Sequence, residues 1–130
     1  MISHVFIGIN DFERGFAFYA VIMAELGLQL KFHETRIPWA GWVAPDAPRP
    51  LFLIGRPFDG HPATVGNGQM VALLASSRAM VDRVHALALS HGAQCEGAPG
   101  PRPHYHADYY GAYFRDPEGN KLCICCHQAE

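Results

Sequence analysis

HVFIGINDFERGFAFYAVIMAELG, residues 4–27, and MVALLASSRAMVDRVHALALSHG, residues 70–92, are the two stretches on which the reading of this chain turns. In the first, Val5, Ile7 and Ile9 alternate with His4, Phe6 and Gly8, which is the period of a strand with one buried face. Asn10 or Asp11 can cap a following helix, with Glu13 three residues after Asn10. Phe12, Phe16, Tyr19, Met23 and Leu26 then recur at helical spacing until Gly27 ends the run. The second stretch repeats the plan, with residues 70–75 as strand, Ser76 or Ser77 as cap, and Val81, Val84, Leu87 and Ala88 as the apolar stripe that Gly92 stops. Met70 stands 66 residues after His4, and Gly92 stands 65 after Gly27. Closely matching spacing of like signals implies an internal duplication, and in register it places Met70 where the first half has His4.

Short strand candidates follow each helix: residues 28–37, 39–44 and 51–54 in the first half, and 94–96, 109–115 and 121–126 in the second. Prolines 45, 48, 50 and 57, then 99, 101 and 103, punctuate them. Asp116-Pro117-Glu118-Gly119-Asn120 reads as a tight turn between the last two strands. The expected organisation is one domain over residues 1–130, with a first module at 1–57, a linker at 58–68 and a second module at 69–130.

Composition narrows the function. With ten Lys and Arg against twelve Asp and Glu, the formal charge is -2 and no run of like charge accompanies it, so neither nucleic acid nor an anionic membrane is expected as a partner. No stretch approaches the roughly 20 apolar residues of a spanning helix, and no secretory signal opens the chain, which makes the cytoplasm the expected location. Cys95 stands alone while Cys123, Cys125 and Cys126 crowd one strand, a poor plan for a disulfide framework, so reduced thiols are expected.

Ser3-His4-Val5 at the first strand, Asn10-Asp11-Phe12-Glu13-Arg14 with Phe18-Tyr19 in the helix, and Tyr113-Phe114-Arg115-Asp116-Pro117-Glu118-Gly119-Asn120 before the last strand resemble the vicinal oxygen chelate superfamily. That superfamily includes glyoxalase, bleomycin-resistance and extradiol dioxygenase proteins. The resemblance implies an α+β fold of two tandem βαβββ modules, forming an open cup-shaped mixed sheet with helices outside. It also implies a homodimer and, in metal-using members, a divalent ion held by His or Glu from the first and last strands of the modules, acting as a Lewis acid.

Carried over by position, the first-strand ligand falls on His4 and its counterpart on Met70, a thioether that binds zinc, magnesium or manganese weakly. The last-strand ligand falls on Cys123, and alignment of residues 51–53 with 122–124 puts its counterpart at or near Phe52, which cannot ligate. His4 and Cys123 are thus the metal candidates, with zinc, nickel or manganese as the possible ion and no confident cofactor. Alternation aims Cys123, Cys125 and His127 to one side of the final strand, with Leu122, Ile124 and Cys126 behind.

The remaining candidates come from aromatic and titratable clusters. His104 can give or take a proton near neutral pH, and Cys123 can act as a nucleophile if a neighbour lowers its pKa. Phe6, Trp39, Phe52, Met70, Tyr105 and Tyr109 are expected at the ligand. Trp39 and Trp42, three apart, cannot share one face of a regular strand. His106 reads as a loop residue bonding to backbone, and Asp82, Arg83 and His85 as the solvated face of the second helix. The expected function is metal-free binding or sequestration of a small organic molecule. Its rival is a divalent-metal-dependent lyase or isomerase resembling lactoylglutathione lyase, with the ion held by His4, Cys123 and either His127 or His104.

Overall fold

The computed structural model describes all 130 residues, and they form two compact units, Met1–Val65 and Gly66–Glu130. The first unit runs β1 (His4–Gly8), α1 (Phe12–Glu25), β2 (Gln29–Glu34), β3 (Trp39–Val43) and β4 (Leu51–Gly55). The second runs β5 (Val71–Leu74), α2 (Arg78–Ser90), β6 (Gln94–Pro101), β7 (Tyr110–Arg115) and β8 (Lys121–Cys126). Each unit is βαβββ, so the fold is α+β with tandem modules, as the duplicated pattern implies. The sheets have the same order, β1-β4-β3-β2 and β5-β8-β7-β6. In each, the first and last strands pair in parallel and the rest antiparallel, giving an open mixed sheet.

The helix boundaries are set by side-chain and backbone capping. Asp11 accepts from the Arg14 N–H and Ser77 from the Met80 N–H, each satisfying one orphan donor at a helix start. The N-cap is thus Asp11, and the Asn10 amide holds both the N–H and the carbonyl of Ala63. Gly27 (φ 78°) and Gly92 (φ 97°) close both helices in the same way. Leu28 N–H reaches Met23 O and Ala93 N–H reaches Ala88 O, the paired bonds of a Schellman ending that only glycine adopts without strain.

Each helix covers one face of its own sheet. In the first unit Tyr19 lies 5.3 Å from the Phe52 ring and Phe16 lies 5.7 Å from Trp42. Ile9, Phe18, Tyr19, Ile22, Met23, Ala40, Trp42 and Ile54 are the buried core on that side. In the second unit Val81, Val84 and Ala88 bury with Ala112, Phe114, Leu122 and Ile124. His85 belongs to this core, 6.3 Å from the Phe114 ring, and not to a solvated helix face; its Nε2 is buried without a partner.

β6 extends to Pro101, well past the expected 94–96, and carries Pro99 and Pro101 inside it. It can do so because it is the edge strand of its sheet, where a missing N–H breaks no ladder, and register shifts flank Gly97.

Candidate functional site

The face of each sheet opposite its helix holds several of the candidate residues. In the first unit His4 and Phe6 project from β1 on that face, both exposed, while Val5 and Ile7 turn inward. Trp39 packs 4.4 Å from Phe32. A Cβ at Gly55 would lie 2.9 Å from Trp39 Cβ and 3.2 Å from Phe6 Cζ, so the glycine is the space these two rings occupy. Trp42 turns to the helix side, 2% exposed, which is the split that a three-residue separation requires.

Phe52 does not belong to this face. It is paired with Val5 in β1 and Trp42 in β3, is 4% exposed, and packs on Tyr19. The equivalent ladder bonds, Ile9 N–H to Gly55 O and Ala75 N–H to Cys125 O, put Leu53 opposite Cys123 in the duplication and Phe52 opposite Leu122. The expectation at Phe52 was thus one residue out of register, and a one-residue slip moves a strand side chain to the other face.

In the second unit β5 and β8 pair Ala72 with Cys123 and Leu74 with Cys125, and β7 places Tyr113 against Cys123. Gly111 faces Cys125, and a Cβ there would meet the Tyr109 ring at 2.8 Å. The glycine therefore lets Tyr109 lie over the sheet, where its hydroxyl is 3.4 Å from Cys123 Sγ and 3.0 Å from the Tyr113 hydroxyl. Tyr105 meets Tyr109 edge-on at 4.9 Å and His104 packs on Tyr105 at 4.3 Å, forming a short aromatic ladder. Arg102 is held by the carbonyls of Ala98, Gly100 and Pro101, and its guanidinium lies 5.6 Å from the Tyr113 ring.

A second arm reaches the neighbouring Cys125 sulfur from the surface. His106 Nε2 is 2.8 Å from His127 Nδ1, and His127 Nε2 is 3.5 Å from Cys125 Sγ. The proton positions follow from one backbone bond: Asp108 N–H donates to His106 Nδ1, so that nitrogen is bare and Nε2 carries the hydrogen. His106 therefore donates to His127 Nδ1, and His127 donates from Nε2 to Cys125. The Cys125 Sγ itself donates to Leu73 O, at 3.9 Å.

This arrangement separates the two thiols. The Cys125 thiol beside it pulls the Cys123 pKa down to about 7 against the opposing effect of burial, with Tyr109, Tyr113 and Arg102 adding to the fall. The Cys123 thiol, with burial, pushes the Cys125 thiol up. Burial first, and then the neighbouring Cys123, push the Tyr109 hydroxyl up. All four cysteines are free, and Cys123, Cys125 and Cys126 are buried while Cys95 is exposed.

The residues present do not fit a divalent ion of the expected kind. No three or more His, Cys, Asp or Glu side chains gather where they could hold a metal. Of the four carried-over positions His4 alone offers nitrogen; Met70 offers a thioether, Leu53 nothing, and the Cys123 sulfur already lies 3.4 Å from the Tyr109 hydroxyl. Sequence spacing also missed His106 as a site residue, because its partner His127 lies 21 positions away and only the β7–β8 pairing brings them together.

A family model described as the glyoxalase/bleomycin resistance protein/dioxygenase superfamily matches residues 1–124. Among solved structures, a glyoxalase/bleomycin resistance protein from Albidiferax ferrireducens T118 is 35% identical, with 97% of this chain and 98% of that one covered and a TM-score of 0.85. A glyoxalase/bleomycin resistance protein/dioxygenase family enzyme from Burkholderia phytofirmans PsJN shares the fold at 22% identity, with coverage of 97% and 98% and a TM-score of 0.72. A putative glyoxalase from Bacillus halodurans does so at 19% identity, with coverage of 97% and 95% and the same TM-score of 0.72. Comparison with curated proteins gives no match. A motif-bearing pair of βαβββ units, matched by the family model over nearly its whole length, leaves one assignment: the chain belongs to the glyoxalase/bleomycin resistance protein/dioxygenase superfamily.

Proposed function

We propose that this chain binds or sequesters a small organic molecule on the sheet faces opposite its helices, without the divalent ion of the metal-using members. The observation that carries this reading is the apolar surface left on those faces and at their edges. Phe6 is 46% exposed, Trp39 37%, Met70 44%, Leu74 72% and Tyr105 60%. Clustered exposed aromatic and aliphatic groups mark sites that a ligand or partner covers. In the first unit Phe6 and Trp39 suit a flat molecule with a greasy face; in the second, Tyr105 and Tyr109 do, with His104 and the Tyr109 hydroxyl supplying polar contacts. The donor set described above supports binding by these walls over binding by an ion. The reading includes a homodimer, which sedimentation of the purified chain checks.

The test combines metal analysis with a binding titration. After reconstitution with zinc, nickel and manganese and removal of excess, the chain retains below about a tenth of an ion, because one imidazole and one occupied sulfur compete poorly with water. Bleomycin, whose flat heteroaromatic rings make it a suitable probe, quenches the tryptophan fluorescence of the parent and leaves that of Phe6→Ser unchanged. One ion per chain, lost in His4→Ala, overturns the reading in favour of the lyase or isomerase.

A further inference from the structure

The loop between β6 and β7 brings a cation and an aromatic ring together at its base. Arg102 N–H bonds Tyr109 O across the loop, and Tyr105 N–H bonds Arg102 O within it. The Arg102 side chain folds back over β6, where Nη1 donates to the carbonyls of Gly100 and Pro101 and Nη2 to that of Ala98. Two glycines make room for it: a Cβ at Gly100 would lie 3.2 Å from Nη1, and one at Gly97 would lie 3.5 Å from Nη2 and 3.1 Å from Tyr113 Cδ2. They do for the guanidinium what Gly111 does for the Tyr109 ring.

These groups lie on the face away from α2. Phe114 turns toward His85, so Tyr113 and Arg115 point to the other side, and Lys121, paired with Arg115 in the register, points there with them. Arg102 Cζ is 5.6 Å and Lys121 Nζ 5.8 Å from the centroid of the Tyr113 ring. Neither cation has an ion pair. Glu96 pairs with Arg115, Asp116 is spent inside its own turn, and Asp82 and Glu130 bond the Tyr110 hydroxyl and the first N–H of α2. Carbonyls orient a guanidinium without neutralising it, and Nε–H has no protein acceptor. Although the unit holds six Asp and Glu against five Arg and Lys, this patch carries two unanswered positive charges. Arg102, Lys121 and Tyr113 are half-buried, so salt screens those charges less than it would on an open surface.

We infer that this face of the second unit takes a flat aromatic molecule bearing a carboxylate, with Tyr105 and Tyr109 against its ring and Arg102 and Lys121 on its carboxylate. A guanidinium with a free N–H edge suits a planar carboxylate, and the ammonium adds a second point of charge. The inference rests on the reading that the chain binds a small organic molecule, and it adds that molecule's charge and its place in the second unit.

Equilibrium dialysis of the full-length protein against 2-naphthoate and its neutral amide, 2-naphthamide, tests it. The acid is expected to bind about ten times more tightly than the amide at pH 7.5, since the two differ only in the group offered to the cations. Arg102→Gln removes most of that preference, and Lys121→Gln weakens the acid about threefold, while both leave the amide unchanged. Lys121→Gln breaks no hydrogen bond of the fold, so it keeps the test sound if Arg102→Gln loosens the β6–β7 loop. Raising the salt from about 50 mM to about 500 mM weakens the acid severalfold and not the amide. Equal affinity for acid and amide overturns the inference, as does an acid affinity that both variants leave unchanged. If neither naphthalene binds while bleomycin still quenches the tryptophans of the first unit, the inference falls and the binding reading stands. If bleomycin fails as well, both fall.

Discussion

The two units share one backbone plan and differ in what that plan presents. At the helix position that packs on the sheet, the first unit has Tyr19 against Phe52, and the second has His85 against Phe114. At the matched strand position on the other face, the first has Leu53 and the second Cys123. Strand order, helix caps and glycine endings are the same in both. The difference teaches that capping, alternation and strand order suffice to specify this topology, and that the side chains left over are free to change chemistry. The first unit uses that freedom for an aromatic wall, and the second for thiols set among tyrosines and histidines.

The largest test of this comparison is in the cores. Tyr19 is fully buried between Phe18 and Phe52, so Tyr19→Ala opens a large cavity and costs about 3 to 5 kcal/mol. His85→Leu, at the equivalent position, keeps volume and removes an unpartnered buried nitrogen, so at pH 7.5 it changes stability by less than about 1.5 kcal/mol. Urea unfolding of both variants beside the parent checks the contrast. Equal losses would mean that the two helix positions are not equivalent in packing.

The next effect lies in a turn that the first unit lacks. Asp116 Oδ1 accepts from the N–H groups of Glu118 and Asn120, and Oδ2 accepts from the Asn120 amide. Asp116 and Asn120 are both buried, and Gly119 takes φ 97° to close the loop. Asp116→Ala leaves a buried Asn120 N–H without its acceptor and costs about 3 kcal/mol, since bonds to a carboxylate are the stronger kind. Chemical denaturation measures the loss, and an amide-exchange map shows whether β7 and β8 open first while β3 and β4 stay protected.

Most of the fold was legible in the sequence because its signals are local. The Asp11 and Ser77 caps, the glycines 27 and 92 and the 116–120 turn each act within a few residues, and the caps and glycines recur at offsets of 66 and 65. The face assignments succeeded wherever polar and apolar residues alternate, as in β1. They failed at β4, where Leu51, Phe52, Leu53, Ile54 and Gly55 are all buried and no period marks the face. The slip at Phe52 follows from that uniformity. Of the candidate site, alternation placed Cys123, Cys125 and His127 on one side, but the approach of Tyr109 over Gly111 and of His106 to His127 depends on β7 pairing with β8. Such contacts between distant positions leave no spacing signal for a single sequence to show.

The smallest effect is one of pH, and it too separates the units. Burial lowers the pKa of His85 in the folded chain, with the Asp82 carboxylate opposing in part. The neutral imidazole is therefore favoured in the fold, while the unfolded chain binds a proton at the ordinary value of about 6.5. Below that value the unfolded state holds more protons than the native one, so stability falls as pH falls and is recovered above it. His85 thus contributes a loss on acidification that Tyr19, at the same place in the first unit, cannot contribute. The urea midpoint is expected to drop between pH 7.5 and pH 5.5 by more in the parent than in His85→Leu. The same drop in both proteins would trace the acid sensitivity to groups other than this imidazole, and would remove protonation from the ways in which the two cores differ.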